Sequence, residues 1–172
     1  MAVSKFLKTL LLPLLAVMAV VQLRGQEVLP AERNELKLNG LITLLGAPEV
    51  TYERLLSKET AFGVSLAVGA DPDIDFGAGL TPYFRWYFSR QPAAGLFIES
   101  VGSVFVRRDF FQGSLGDDIA AGVGFSLGYK LVSDGGWVGE VYGGAGRNFI
   151  NTYIAGEVFP RIGFCIGRRF GS

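Results

Sequence analysis

Between residues 119 and 131 the chain alternates without interruption: Ile119, Ala121, Val123, Phe125, Leu127, Tyr129 and Leu131 interleave with Ala120, Gly122, Gly124, Ser126, Gly128 and Lys130. A repeat of two is the period of a β-strand, whose successive side chains point to opposite faces. The stretch at 62–69 repeats the pattern, with Phe62, Val64, Leu66 and Val68 set against Gly63, Ser65, Ala67 and Gly69. One face is bulky and apolar, the other small. No helical periodicity of useful length follows the short polar segment 27–33. Eight strands are predicted instead, at 35–45, 49–56, 62–70, 80–89, 95–107, 119–131, 137–148 and 158–170.

The links between these strands alternate in length. Tight ones fall at "SKETA" (57–61), "RQPAA" (90–94) and "SDGG" (133–136). Long ones fall at 71–79, 109–118 and 150–157, with the brief "GAP" (46–48) as the exception. An even number of strands of about ten residues, joined by alternating short and long links, marks a transmembrane β-barrel. Such a sheet must close on itself, because an edge strand in hydrocarbon has no water to bond its amides and carbonyls. The predicted fold is an all-β, eight-stranded antiparallel up-and-down transmembrane β-barrel.

A soluble lipocalin-like barrel that binds ligands also has eight alternating strands, but its bulky set points inward. Here the other set is glycine, serine and alanine with a few charges, a poor surface for water and a good filling for a narrow barrel. With the bulky set facing lipid, the inward charges are Lys37, Glu53, Arg85, Glu99, Lys130, Glu140 and Arg161, accompanied by Asn39, Tyr83, Tyr87 and Tyr142. Buried charges persist only when paired and hydrogen bonded, so these seven are expected to form one network that plugs the barrel along its axis. Trp86, Trp137, Tyr52, Tyr129 and Phe170 take the outward parity, as do Arg54 and Arg168, which belong at the rim where long side chains reach headgroups. In "LTPYFRWYFS" (80–89) the same parity sends Phe84, Trp86 and Phe88 to lipid and Tyr83, Arg85 and Tyr87 to the lumen, with Glu53, Glu99 or Glu140 as partners for Arg85.

At the N-terminus, Lys5 and Lys8 precede the apolar run 9–21, which ends near Gly25. This is the pattern of a signal peptide, too short for a retained spanning helix. The expected organisation is a signal peptide over 1–25, a short periplasmic segment over 26–34 and an outer-membrane barrel over 35–170. Cleavage turns the balanced charge of 16 basic and 16 acidic residues into 13 against 16. Neither balance argues for a nucleic-acid partner. The single cysteine, Cys165, allows no internal disulfide and takes the inward parity. Histidine is absent, which removes the commonest general base and metal ligand together.

The segments "TPYFRWYFS", "AGVGFSLGYKLVSDGGWVGEVYGGAGRNF" and "FPRIGFCIGRRF" resemble a Bacteroidota family of small outer-membrane barrels of unknown function, over roughly Asn34 to Phe170. More distantly, the layout is similar to OmpX and to the OmpA barrel. The resemblance implies a Gram-negative outer-membrane location with both termini in the periplasm, and a lumen filled by an acid and base network. It implies the barrel-insertion machinery as a partner during biogenesis, reading a terminal aromatic; here Phe170 is followed by Gly171 and Ser172. It supplies no catalytic residue.

Three motifs invite chemistry. "DPDIDFG" spaces Asp71, Asp73 and Asp75 like the start of a calcium loop, but its glycine falls one place late and Pro82 stands where the closing acid belongs. It reads as a solvated acidic loop rather than a bridge to lipopolysaccharide through divalent ions. "GVGFSLG" and "GGAGRNF" lack the helix that a phosphate loop requires, so their glycines are assigned to the packed interior. Lipid-modifying enzymes of similar size lean on histidine, leaving that reading the weakest. The expected role is structural or surface-interacting, without catalytic, metal or cofactor-binding residues. Outer-membrane lipid and lipopolysaccharide are its surroundings, and Phe110, Phe111 and Tyr153 are either loop contacts for an extracellular partner or aromatics that sit at the membrane rim or pack over the barrel mouth.

Overall fold

A computed structural model of the chain describes residues 32–71, 73–107, 119–152 and 156–171. The signal-peptide segment, residues 26–31 of the segment that follows it, and the loop aromatics Phe110, Phe111 and Tyr153 lie outside these. Eight antiparallel strands, each paired with its neighbours in sequence, form a closed barrel: β1 (Asn34–Asn39), β2 (Glu49–Leu55), β3 (Thr60–Val68), β4 (Ala78–Tyr87), β5 (Gly95–Val106), β6 (Ile119–Val132), β7 (Trp137–Ile150) and β8 (Val158–Phe170). The seam is a ladder from Asn34 opposite Phe170 to Asn39 opposite Cys165. No helix among the described residues is long and apolar enough to cross a membrane.

The first strand is shorter than its apolar pattern predicts. It ends at Asn39 rather than at residue 45, and a one-turn helix, α1 (Gly40–Leu44), follows. Asn39 terminates the strand by capping that turn: its side chain accepts the Ile42 amide, and the Thr43 hydroxyl donates to its carbonyl. Gly46, at φ 89°, then reverses the chain in the left-handed conformation that glycine tolerates. The β1–β2 connection is therefore 40–48, and the apparent exception at "GAP" disappears. The four links at that end (40–48, 69–77, 107–118 and 151–157) are seven residues or longer, and of the three at the other end two (56–59 and 133–136) have four residues and one (88–94) has seven. Elsewhere the predicted strand limits hold to within two residues.

Side chains alternate as the period demands, with the large apolar residues outside. Every strand presents exposed ones: Leu36 on β1, Tyr52 on β2, Leu66 on β3, Trp86 on β4, Leu96 on β5, Phe125 on β6, Val141 on β7 and Phe164 on β8. The interior is a mixture of charged groups, tyrosines and small residues, with Leu55, Phe97 and Phe159 as large apolar exceptions to the outward rule. Its large rings are accommodated by the register. Tyr83 lies opposite Gly63, Phe97 opposite Gly128, Phe159 opposite Gly146 and Tyr142 opposite Gly163. A Cβ at Gly63, Gly128 or Gly163 would stand 2.3 Å from the facing ring, and at Gly146 2.1 Å. Gly128 of "GVGFSLG" and Gly146 of "GGAGRNF" thus serve packing, each ring resting on backbone where a side chain would collide.

Candidate functional site: the charged interior

The seven inward charges anticipated from parity are all buried in the lumen and all touch one another through shared partners. Register brings the first pairs together: Arg85 lies opposite Glu99 across β4 and β5, and Lys130 opposite Glu140 across β6 and β7. Arg85, fully buried, is the hub. Its Nε donates to Glu99 Oε2 at 2.7 Å, its NH1 to Glu53 Oε2 at 3.0 Å and Glu140 Oε2 at 2.8 Å, and its NH2 to Glu140 Oε1 at 3.1 Å. All three acids proposed for it are engaged at once. Its guanidinium carbon lies 4.2 Å from the Phe97 ring centroid and 4.5 Å from that of Tyr83, so the cation is clad by π-faces where it is not hydrogen bonded.

Three further charges complete the set. Glu35, Glu49 and Arg169 share the inward parity but sit at or next to strand ends, where the sequence alone does not separate lumen from rim. Among the described residues the buried acids are Glu35, Glu49, Glu53, Glu99 and Glu140, and the buried bases are Lys37, Arg85, Lys130, Arg161 and Arg169, so the charges cancel. They form a column. From the looped end the order is Glu49, Arg161, Glu99, Arg85, then Glu53 with Glu140, Lys37 with Lys130, Glu35 and Arg169, the signs alternating throughout. At the far end Arg169 also donates to the carbonyls of Pro92 and Ala93, fastening the β4–β5 link to the charge column.

Glu35, Glu53 and Glu140 bring carboxylate oxygens within 4.8 Å of one another, close enough to hold a cation. The protein fills that centre itself. Lys37 Nζ lies 2.8 Å from Glu53, 3.0 Å from Glu140 and 3.6 Å from Glu35, and Lys130 Nζ lies 2.8 Å from Glu35. Two ammonium groups stand where a metal would. Hydroxyls complete the shell, with Tyr83 and Tyr87 donating to Glu53 and Ser126 to Glu99. Among the described residues, Asn148 Oδ1 is the one fully buried side-chain polar atom without a partner, so every fully buried atom of the network is satisfied, as buried charge requires.

Comparison with protein-family models, with curated proteins and with solved structures finds no match.

The other sequence motifs lie apart from this column. Asp75 pairs with Arg107, and Asp71 accepts the Asp73 amide, so "DPDIDFG" is a structured link that packs near Gly46. Cys165 is buried, its sulfur 3.9 Å from the Tyr142 hydroxyl. A cavity of about 410 Å³ occupies the lumen at the looped end, lined from β2, β3, β4, β5 and β8 and by Ile42 and Leu45 of the β1–β2 link, and Glu49 and Arg161 contribute to its lining.

Proposed function

We propose that this is an outer-membrane β-barrel protein of a Gram-negative bacterium, with a plugged polar interior and a structural or surface-interaction role, exported by an N-terminal signal peptide. The observation that carries the reading is the inversion of the barrel: ion pairs fill the lumen while aliphatic and aromatic side chains cover the outside. A soluble ligand-binding barrel needs the reverse, since a contiguous apolar surface of this extent drives association in water.

The distribution of outward charges supports a membrane. On the outer faces of the strands the charged residues are Arg54, Arg147 and Arg168, all near strand ends. Arg147 lies opposite Val158, and Arg168 stands ten residues further along β8. At about 3.3 Å per residue and a tilt of about 40°, that separation corresponds to roughly 25 Å of height, the thickness of a lipid-facing apolar band. At the short-link rim, Trp86 stacks on Phe88 and Arg168 lies over the Trp137 ring at 6.0 Å, with Tyr129 and Phe170 nearby on neighbouring strands. Aromatic rings with arginines beside them suit the level of lipid headgroups. The short links share that rim with the start of β1 and the end of β8, and this reading assigns it to the periplasm, leaving the long links outside the cell.

The interior carboxylates are bound to ammonium and guanidinium groups of the protein, and we assign them to holding the barrel shut rather than to a catalytic step. The long links remain the surface for an extracellular partner. The test is migration in detergent gels with and without heating, combined with proteolysis of intact cells. Heat-modifiable mobility and cleavage confined to the long links are expected; extraction by salt wash without detergent would overturn the reading.

A further inference from the structure

The charge column is compensated everywhere except at its looped end. Glu35, Glu53, Glu99 and Glu140 each have two or more cationic nitrogens within 3.0 Å. Glu49 has one, Arg161 NH1, at 3.5 Å. That guanidinium is committed inward, its Nε donating to Glu99 at 3.0 Å. The remaining bonds to Glu49 are long and neutral, from Asn39 Nδ2 at 3.1 Å and Tyr142 Oη at 3.3 Å, and all of them, like that of Arg161, fall on Oε1. The second oxygen, Oε2, takes none. Yet the residue is only 7 % exposed, and what it borders is the cavity of about 410 Å³.

On its β8 side the cavity borders the place where β1 stops early. Above Asn39 no strand pairs with β8 on that side, and Pro160, which has no amide hydrogen to leave unpaired, occupies this edge. Asn39 closes the ladder with its side chain, donating to the Ile162 carbonyl and accepting the Phe164 amide. Beyond that point Ile42 and Leu45 from the β1–β2 link, with Phe76, Phe105 and Phe159, form mainly apolar walls, to which Thr81, Ser103 and Arg161 add polar groups. A volume of this size lies in the range of small-molecule sites.

We propose that this cavity at the looped end of the lumen binds a small organic cation, a protonated amine carrying an apolar body, with Glu49 as its counter-ion. A half-compensated carboxylate at the floor of an apolar cavity is matched by an ammonium group that completes the alternation of the column and places its hydrocarbon against the phenylalanines. A bare metal ion is a poorer occupant, because the apolar walls offer too few oxygens to replace its water. The site belongs to the barrel itself and does not depend on where the barrel resides.

The probe is phenethylammonium, titrated by calorimetry into the purified full-length barrel in detergent against a protein-free micelle blank. Phenethyl alcohol and 3-phenylpropionate serve as neutral and anionic counterparts. Saturable binding of one ammonium per chain is expected, weakened about tenfold or more by Glu49→Gln and by replacing the ammonium with the alcohol. Equal affinity for the Glu49→Gln barrel, or tighter binding of the propionate, would contradict the assignment. Ala67→Leu provides a second arm should the first variant fail to fold, since Ala67 lines the same cavity opposite Glu49 and the longer side chain occupies the space without changing any charge. Loss of binding there supports the site, and undiminished binding refutes it.

Discussion

Replacing Arg85 by leucine removes the hub of the interior. The side chain is fully buried and donates four hydrogen bonds to three carboxylates, Glu53, Glu99 and Glu140. Those acids keep other cations: Glu53 and Glu140 retain Lys37 at 2.8 and 3.0 Å, and Glu99 retains Arg161 at 3.0 Å. The column therefore does not collapse, but one buried negative charge is left without its balance. Breaking a buried pair by removing one partner costs about 3–5 kcal/mol. Phe84→Leu, on the outward face of the same strand, trades one apolar group for a smaller one and should cost about 1 kcal/mol. The assay is reversible urea unfolding in lipid vesicles, read by gel mobility and tryptophan fluorescence. The double variant Arg85→Met with Glu99→Gln restores neutrality and should recover part of the loss, because a neutral filling avoids the uncompensated charge. If Arg85→Leu unfolds within 1 kcal/mol of the parent protein, or no less readily than Phe84→Leu, the interior column is not what holds the barrel together.

Three further outcomes follow from the same geometry. Phe164→Arg, near the middle of the outward band on β8, should destabilise the barrel in vesicles by about 2–4 kcal/mol, whereas Leu131→Arg near the short-link rim should cost about 0–1 kcal/mol, both measured by the same unfolding. A flat response across depth would argue that the outer face does not meet hydrocarbon. Gly163→Ala places a Cβ 2.3 Å from the Tyr142 ring and should lower stability by about 1–3 kcal/mol, while Gly143→Ala, with nothing within 4 Å of its Cβ, should be nearly neutral in the same measurement. Purified barrel in planar bilayers should show no steady large conductance, since the ion pairs leave no open path; stable channels would mean that the column parts.

Period-two alternation carries much of this architecture in the sequence. One strand is enough to set parity, which is why Lys37, Arg85 and Lys130 can be assigned to the lumen before any pairing is known. Register is not a property of one strand, and what depends on register is hidden. That Tyr83 rests on Gly63, or that Phe97 rests on Gly128 beside Arg85, becomes visible only when β3 meets β4 and β5 meets β6. Phe97 and Phe159 also run against the pattern, being large apolar side chains on the small inward face; the glycines opposite them were the available signal. Strand ends are ambiguous for a different reason. Glu35, Glu49 and Arg169 have the right parity, but a charge at the end of a strand is equally suited to a solvated rim. The apolar run "GLITLL" extends the pattern of β1 past its true end, and only the capping side chain of Asn39 marks the stop.

The chain has two tryptophans, Trp86 and Trp137, both exposed on the outer face at the short-link rim, so its fluorescence reports the claim at the centre of this account. The decisive measurement is tryptophan quenching in vesicles by lipids brominated either close to the headgroup or deep in the acyl chain. A barrel that crosses the bilayer with its apolar face outward predicts strong quenching by the shallow bromines, weaker quenching by the deep ones and protection from aqueous iodide. Free quenching by iodide with no response to brominated lipid would contradict it.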